Sequence, residues 1–146
     1  MTRQTLRIFT IFGALLLTAI SVNAQSERTK VTNIPFNFNV GNQTLPAGDY
    51  VVKPARRGSD GAWLVQSTDG KESVLVNTRS VQASKTQKNT KLVFNKYGDR
   101  YFLSQIWTDG NDSGRELVMR RQERQLERTI IAERTVVLID GLAAKD

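Results

Sequence analysis

The chain contains neither cysteine nor histidine in its 146 residues. Their absence removes the common zinc ligand sets, the Ser-His-Asp triad, thiol nucleophiles and imidazole acid–base catalysis. It also means that the fold is stable without disulfides, which many small secreted domains require. Carboxylate, lysine, hydroxyl and tyrosine chemistry remains. We therefore expect no metal site, no cofactor and no enzymatic activity.

Long hydrophobic runs are also scarce, and the run over residues 8–22 is the one that decides the class of protein. Arg3 and Arg7 precede it, and Val22 and Ala24 place small or β-branched residues at the −3 and −1 positions of a signal-peptidase site. A run of about 15 residues is short for a transmembrane helix, which needs about 20, although an uncleaved anchor is the alternative. The sequence predicts a signal peptide over residues 1–24, cut between Ala24 and Gln25.

Export fixes the expected compartment and partners. The protein would be periplasmic or extracellular and would meet the membrane only transiently, through its leader. The remaining residues 25–146 are an ordinary length for a single domain. The net charge of +7 falls to +5 when the leader is removed, because the leader carries two arginines and no acidic residue. We expect no nucleic acid as a partner; an anionic envelope component or a polysaccharide is the expected one.

Short apolar stretches separated by turn residues run from about residue 32 to residue 107. Over residues 34–40 apolar and polar side chains alternate, which predicts a half-buried, edge-type strand with Pro35 near its start. Further strands are predicted over residues 50–53, 63–67, 72–78, 92–97 and 100–107. Such spacing is typical of an antiparallel sandwich or barrel.

Two pairs of residues predict hairpin turns. Asp69-Gly70 matches a type I′ turn, in which both central residues have positive φ. Gly98-Asp99 lies at the tip of a second hairpin. The strand that ends at Trp107 has apolar residues on both faces, so we expect it to be central and covered on both sides.

The C-terminal part predicts one helix and one strand. Ser113 and Glu116 fit a capping box, which predicts a helix over about residues 114–128. Residues 135–139 are mostly β-branched and predict a last strand, although the helix could run on through Glu133. The predicted fold is therefore mainly β, a single small antiparallel sandwich or barrel with one C-terminal amphipathic helix.

Two stretches of the chain resemble a known group of proteins. They are IPFNFNVG at residues 34–41 leading into LPAGDY at residues 45–50, and LVF at residues 92–94 followed by YGDRYFLSQIW at residues 97–107. Both are similar to motifs of a family of short exported proteins from soil acidobacteria, and the resemblance covers residues 32–126. It implies export, small size and a β architecture, and it brings no ligand or catalytic residue. Residues 129–146 depart from the usual ending of that family.

Candidate site residues lie on the second hairpin and on the predicted helix. Exposed amphipathic aromatic residues often bind ligands, and basic residues accompany them here. The candidate ligand surface comprises Tyr97, Arg100, Tyr101, Trp107, Arg120, Arg121 and Arg124. A merely solvated basic helix face is the alternative.

A partial calcium-loop pattern begins at Asp109. Asn111, Ser113 and Gly114 match later positions of such a loop, but Arg120 stands where a bidentate Glu is required. We therefore expect a polar turn instead of a calcium site.

Three functional classes remain open. The first is an exported, non-enzymatic binding or structural module, which a filled core with an exposed aromatic and arginine patch would favour. The second is a carrier of one small apolar ligand, which an empty barrel interior would favour. The third is a carboxylate-dependent hydrolase, which two convergent acids in a cleft with perturbed pKa values would favour.

Overall fold

The protein is described here from a computed structural model that covers residues 29–56, 58 and 61–139. The predicted leader and its cleavage site at Ala24 and Gln25 lie outside the described residues. These residues form ten strands and one helix. Their bounds are β1 (Thr29–Ile34), β2 (Phe38–Val40), β3 (Gln43–Leu45), β4 (Gly48–Pro54), β5 (Ala62–Ser67), β6 (Ser73–Gln82), β7 (Thr90–Tyr97), β8 (Arg100–Trp107), β9 (Ser113–Leu117), α1 (Arg121–Glu127) and β10 (Glu133–Ile139). The mainly β prediction is confirmed.

The strands form one curved sheet. Antiparallel pairing links β10, β7, β8, β9, β6, β5, β4 and β1 in that spatial order, and the two ends of the path, β1 and β10, are in contact. β2 and β3 form a side hairpin, in which β2 runs parallel to β8. The first part of β6 pairs with β5 and its second part, from Thr78, pairs with β9. The result is a barrel-like sandwich.

Large side chains from both halves of the sheet occupy the interior. Phe38, Tyr50 and Phe94 are fully buried and meet edge to face, with ring centroids 5.1 Å and 5.5 Å from the Phe38 ring. Aliphatic residues fill the space around these rings. Burial of apolar area at roughly 25 cal/mol per Å² is the main stabilising contribution in such a core.

The second hairpin has the predicted position and register. Tyr97 pairs with Arg100 across a two-residue turn in which Gly98 has a φ of +60°. A glycine with positive φ at the first central position is what a type II′ turn requires. β8 is buried on both faces along most of its length, as predicted.

The segment over residues 34–40 is not one strand as predicted. β1 ends at Ile34, and β2 begins at Phe38 after three unpaired residues. Pro35 cannot donate a hydrogen bond to a ladder, and the side chain of Asn37 accepts a hydrogen bond from the Ala47 amide at 2.9 Å. The alternating apolar residues still face the core, but the chain changes neighbours between the two strands.

The turn at Asp69-Gly70 also differs from the prediction. Gly70 has a φ of +76°, but Asn33 is the one non-glycine residue with positive φ in the described part of the chain, so Asp69 lacks the conformation of a type I′ turn. The Gly70 amide donates to the Ser67 carbonyl, and the Asp69 carboxylate accepts bonds from the Ser67 hydroxyl and the Lys71 amide. These side-chain bonds stabilise a longer, four-residue connection.

The C-terminal helix is shorter than predicted. Ser113 and Glu116, the expected capping box, lie in β9, and α1 begins at Arg121 with no side-chain cap. The residues of β9 complete the free edge of β8 and of the second part of β6, so sheet pairing replaces their local helical preference. The predicted last strand is confirmed as β10, which pairs with β7.

Candidate functional site

A bulge in β8 opens the sheet at Ser104. Val93 pairs with Gln105 and Phe94 pairs with Leu103, so Ser104 is an extra residue opposite β7. On its other edge, β8 pairs with β2 at Tyr101 and Phe102, and with β9 only from Gln105 onward. The sheet therefore divides around the bulge, and bulges of this kind often redirect side chains beside functional sites.

A hollow of about 220 Å³ lies beside this division, between β8, β9 and α1. Its wall combines charged and apolar side chains. The lining residues are Arg79, Ser104, Glu116, Leu117, Val118, Met119, Glu123 and Arg124. A few polar groups on an apolar wall are typical of a ligand site, and a volume below the roughly 300–1,000 Å³ of sites for drug-sized ligands limits the occupant to a small group.

Glu116 is one of the two carboxylates of the hollow, and both of its oxygens already accept a hydrogen bond from the protein. Arg79 on β6 donates to its Oε2 atom through Nε at 2.6 Å, and Gln105 on β8 donates to its Oε1 atom at 3.2 Å. Partial burial tends to raise the pKa of Glu116, but these hydrogen bonds and the charge of Arg79 outweigh burial and lower the pKa below its usual value.

Glu123 is the second carboxylate, and its environment is different. Its side chain is buried, with 6% of the residue exposed, and its Oε1 atom accepts a hydrogen bond from Asn95 Nδ2 at 2.9 Å. None of the ion pairs within the described residues includes Glu123. Burial raises the pKa of Glu123, and the nearby Glu127 adds to this effect while the Asn95 bond opposes it.

The two carboxylates therefore have pKa values shifted in opposite directions within one hollow. A carboxyl group with a raised pKa holds a proton more readily than one paired with arginine. Together with the guanidinium of Arg124 and the hydroxyl of Ser104, they offer hydrogen-bond acceptors and donors to a polar ligand.

Trp107 is linked to the carboxylate of Glu116 through the side chain of Gln105. Its indole Nε1 donates to Gln105 Oε1 at 3.1 Å, and Gln105 in turn donates to Glu116. The Trp107 ring lies over Gly114 so closely that a Cβ atom there would come within 2.6 Å of it. Residue 114 must therefore be glycine, because the Trp107 ring lies against its backbone. Trp107 is buried and positions Gln105 instead of facing solvent.

The seven residues of the candidate ligand surface differ in exposure and do not form one surface in the structure. Tyr97 and Trp107 are buried, Arg100, Tyr101 and Arg120 are half-buried, and Arg121 and Arg124 are exposed. Tyr101 stacks on Phe36 with ring centroids 3.8 Å apart. Of the seven, Arg124 lines the hollow described above, and Arg120 lines a much smaller one of about 10 Å³ next to it, which Glu123 also borders.

The first of the two stretches that carry the resemblance, residues 34–41 with residues 45–50, makes structural contacts. The Tyr50 hydroxyl donates to the Pro46 carbonyl at 2.6 Å, and Gly48 has a φ of +153°, which other residues rarely adopt. Asn39 donates to the Tyr101 carbonyl and accepts from the Thr44 hydroxyl. These bonds hold the β2–β3 hairpin against β8. The second motif supplies the β8 bulge and two supports of the site, Gln105 and Trp107.

Sequence reasoning missed most of the hollow. Glu116 was assigned to a helix cap, and Glu123 resembles an ordinary exposed residue of a basic helix. Arg79, Ser104 and Asn95 carry no motif. The available signal is the uncharged polar residues Asn95 and Gln105 in the middle of two strands rich in large apolar residues, since buried polar side chains need partners.

No protein-family model matches the chain, and no curated protein or solved structure shows significant similarity to it. Among the described residues, no helix is both long and apolar enough to cross a bilayer. The same part of the chain contains no group of three or more acidic residues arranged to hold a metal ion. Of the residues in the partial calcium-loop pattern that begins at Asp109, Ser113 and Gly114 belong to β9.

Proposed function

We propose that this protein is an exported, non-enzymatic binding module of the cell envelope or extracellular space, and that its ligand is a saccharide unit of an envelope polysaccharide. The observation that carries the proposal is the hollow beside the β8 bulge. Its carboxylates accept hydrogen bonds from hydroxyl groups, and Arg124 and Ser104 can donate to ring and hydroxyl oxygens. Leu117, Val118 and Met119 provide an apolar wall for the C–H face of a sugar ring.

The positive charge of the chain supports a polymeric, partly acidic ligand. Arg121 and Arg124 are exposed on α1 next to the hollow. Acidic groups on neighbouring units of a polysaccharide would lie near these arginines while one unit occupies the hollow, and such exposed charges mainly increase the association rate. The interior of the barrel, in contrast, is occupied by large side chains, which gives the apolar-carrier alternative less support.

A titration of ¹⁵N-labelled protein with cellobiose tests the proposal. We expect shifts of the backbone amides of Ser104, Leu117 and Val118, because these residues line the hollow. Val118→Trp should abolish the shifts by filling its mouth, since Val118 is half exposed. Leu75→Trp is the matched control, because Leu75 is a similarly exposed apolar residue outside the hollow. Equal shifts in the two variants would place the ligand elsewhere.

A carboxylate-dependent hydrolase is the second candidate, favoured by the opposite pKa shifts of Glu116 and Glu123. In that case Glu123 would donate a proton to a glycosidic oxygen and Glu116 would act as the base. Release of reducing sugar from an envelope polysaccharide, lost in both Glu123→Gln and Glu116→Gln, would support it. The engagement of Glu116 by Arg79 and Gln105 favours the binding module, because a base needs free access to water.

A further inference from the structure

We propose that the group held against Glu123 is a primary ammonium, so that the hollow selects an amino sugar over a neutral sugar. This inference rests on the proposed function, since it specifies the class of saccharide that the same hollow binds. It comes from a difference between the two carboxylates of the site: among the described residues, Glu116 forms an ion pair and Glu123 forms none.

The cation of the first carboxylate is Arg79, whose Nη2 atom lies 2.5 Å from Glu116 Oε2. Glu123 has only the neutral amide of Asn95 as a hydrogen-bond donor among the described residues, and that amide contacts Oε1 alone. A carboxylate has two oxygens and about four acceptor positions, so most of the acceptor capacity of Glu123 remains for a ligand.

Because Glu123 is buried, the unused acceptor positions of its carboxylate affect which ligand the hollow can hold. Charged side chains are rarely buried unless they are paired, because water no longer solvates them. Glu123 is buried and lines a hollow whose other acidic residue is paired with an arginine. A ligand that brings a positive charge would therefore compensate Glu123, whereas a neutral hydroxyl would offer only a hydrogen bond.

A primary ammonium fits this place better than a metal ion or a guanidinium. A metal ion needs several oxygen ligands, and the described residues hold no suitable acidic group of three. An ammonium group has three donors, one for Glu123 and others for neighbouring acceptors such as the Ser104 hydroxyl. A planar guanidinium needs a fork-shaped partner with two free oxygens, but one Glu123 oxygen already bonds Asn95.

The experiment compares three disaccharides that share a β-1,4-linked backbone and differ at the second carbon of each ring. Cellobiose carries a hydroxyl there, the glucosamine disaccharide an ammonium, and its N-acetylated form a neutral amide. Affinities are measured at neutral pH by isothermal titration calorimetry on the unaltered protein, on Glu123→Gln and on Glu127→Gln. Glu123→Gln keeps the acceptor for Asn95, and Glu127→Gln removes an equal charge from an exposed position of the same helix.

We expect the amine form to bind the unaltered protein about tenfold more tightly than the other two, the usual effect of a charge-assisted hydrogen bond. Glu123→Gln should remove this preference and Glu127→Gln should retain it. Equal affinity for all three disaccharides, or a preference that survives Glu123→Gln, would overturn the inference and leave the binding function standing. Absence of binding by every disaccharide would overturn the binding function itself. The comparison on the unaltered protein decides the point even if Glu123→Gln does not fold.

Discussion

The side-chain amide of Asn95 donates a hydrogen bond to the carboxylate of Glu123 across 2.9 Å, and both residues are buried. This bond joins the outer face of β7 to α1. It is an unusual way to fix a helix on a sheet, because helices normally pack on sheets through apolar contacts. The edge-to-face contact between Tyr97 on β7 and Phe102 on β8 adds apolar area beside this bond.

Replacing Glu123 by glutamine should change how stability depends on pH. Because the folded-state pKa of Glu123 is raised, the unaltered protein should lose stability as pH rises from the unfolded-state value through the folded-state value. Glu123→Gln should remove this loss and be more stable at pH 8 by roughly 1 kcal/mol, the scale of a buried polar desolvation penalty. Urea unfolding at a series of pH values measures the difference.

Several other charged or titratable groups lie near Glu123 or line the same hollow, and they must stay unaltered in that comparison. They are Glu127 and Arg124 on the same helix, Tyr97 on β7, Arg120 before the helix, and Glu116 with Arg79 across the hollow. Glu127→Gln is the control and should leave most of the pH dependence in place. A Glu123→Gln variant with an unchanged pH profile would show that the carboxylate is solvated in the folded protein.

Removing Arg79 should affect stability in the opposite pH range. The pKa of Glu116 is lowered because its hydrogen bonds and the charge of Arg79 outweigh burial, so its contribution is present above the unfolded-state pKa and is lost as pH falls through the folded-state pKa. Arg79→Ala should cost about 0.5–1 kcal/mol at neutral pH, because the Arg79 side chain is mostly exposed. The deficit should shrink in acid, as measured by thermal unfolding.

The ion pair between Lys71 and Asp69 provides a control for the stability of Arg79→Ala. Both side chains are more than half exposed, at 81% and 54%. Lys71→Ala should therefore have no measurable effect on the melting temperature. If Lys71→Ala and Arg79→Ala behaved alike, the network around Glu116 would contribute no more than an ordinary surface pair.

Adding one methyl group at Gly114 should destabilise the protein by about 1–3 kcal/mol, the usual cost of overpacking. The Cβ atom of Gly114→Ala would lie 2.6 Å from the Trp107 ring, which cannot move without breaking its bond to Gln105. Gly61→Ala is the matched variant, since nothing lies within 4 Å of its Cβ position. Equal midpoints of denaturant unfolding for these two variants would contradict the described packing.

The parts of the fold predicted correctly are those in which local pattern and tertiary context agree. Tyr97 to Arg100 forms a tight hairpin because glycine occupies the required position of positive φ, a property readable from adjacent residues. β10 follows from a run of β-branched residues. In both cases the backbone preference of a few residues decides the outcome without distant partners.

The first part of the predicted helix is a strand, because distant pairing there outweighs local preference. Residues 113–117 include good helix formers, but Glu116 faces Gln105 and Arg79 on neighbouring strands. No local sequence pattern predicts these partners, because Gln105 and Arg79 lie 11 and 37 residues from Glu116 along the chain. The candidate site could not be predicted for the same reason: it exists only where a bulged strand, a strand edge and a short helix meet.

β6 belongs to both halves of the sheet, because its first five residues pair with β5 and its last five with β9. The two halves share this one continuous strand, so they cannot separate without disrupting its pairing with β5 or with β9. The hollow beside α1 and the paired strands β4 and β5 in the other half of the sheet consequently belong to a single cooperative unit. Under the proposed function, local opening of the hollow would therefore involve the helix α1 and its flanking segments before the paired strands.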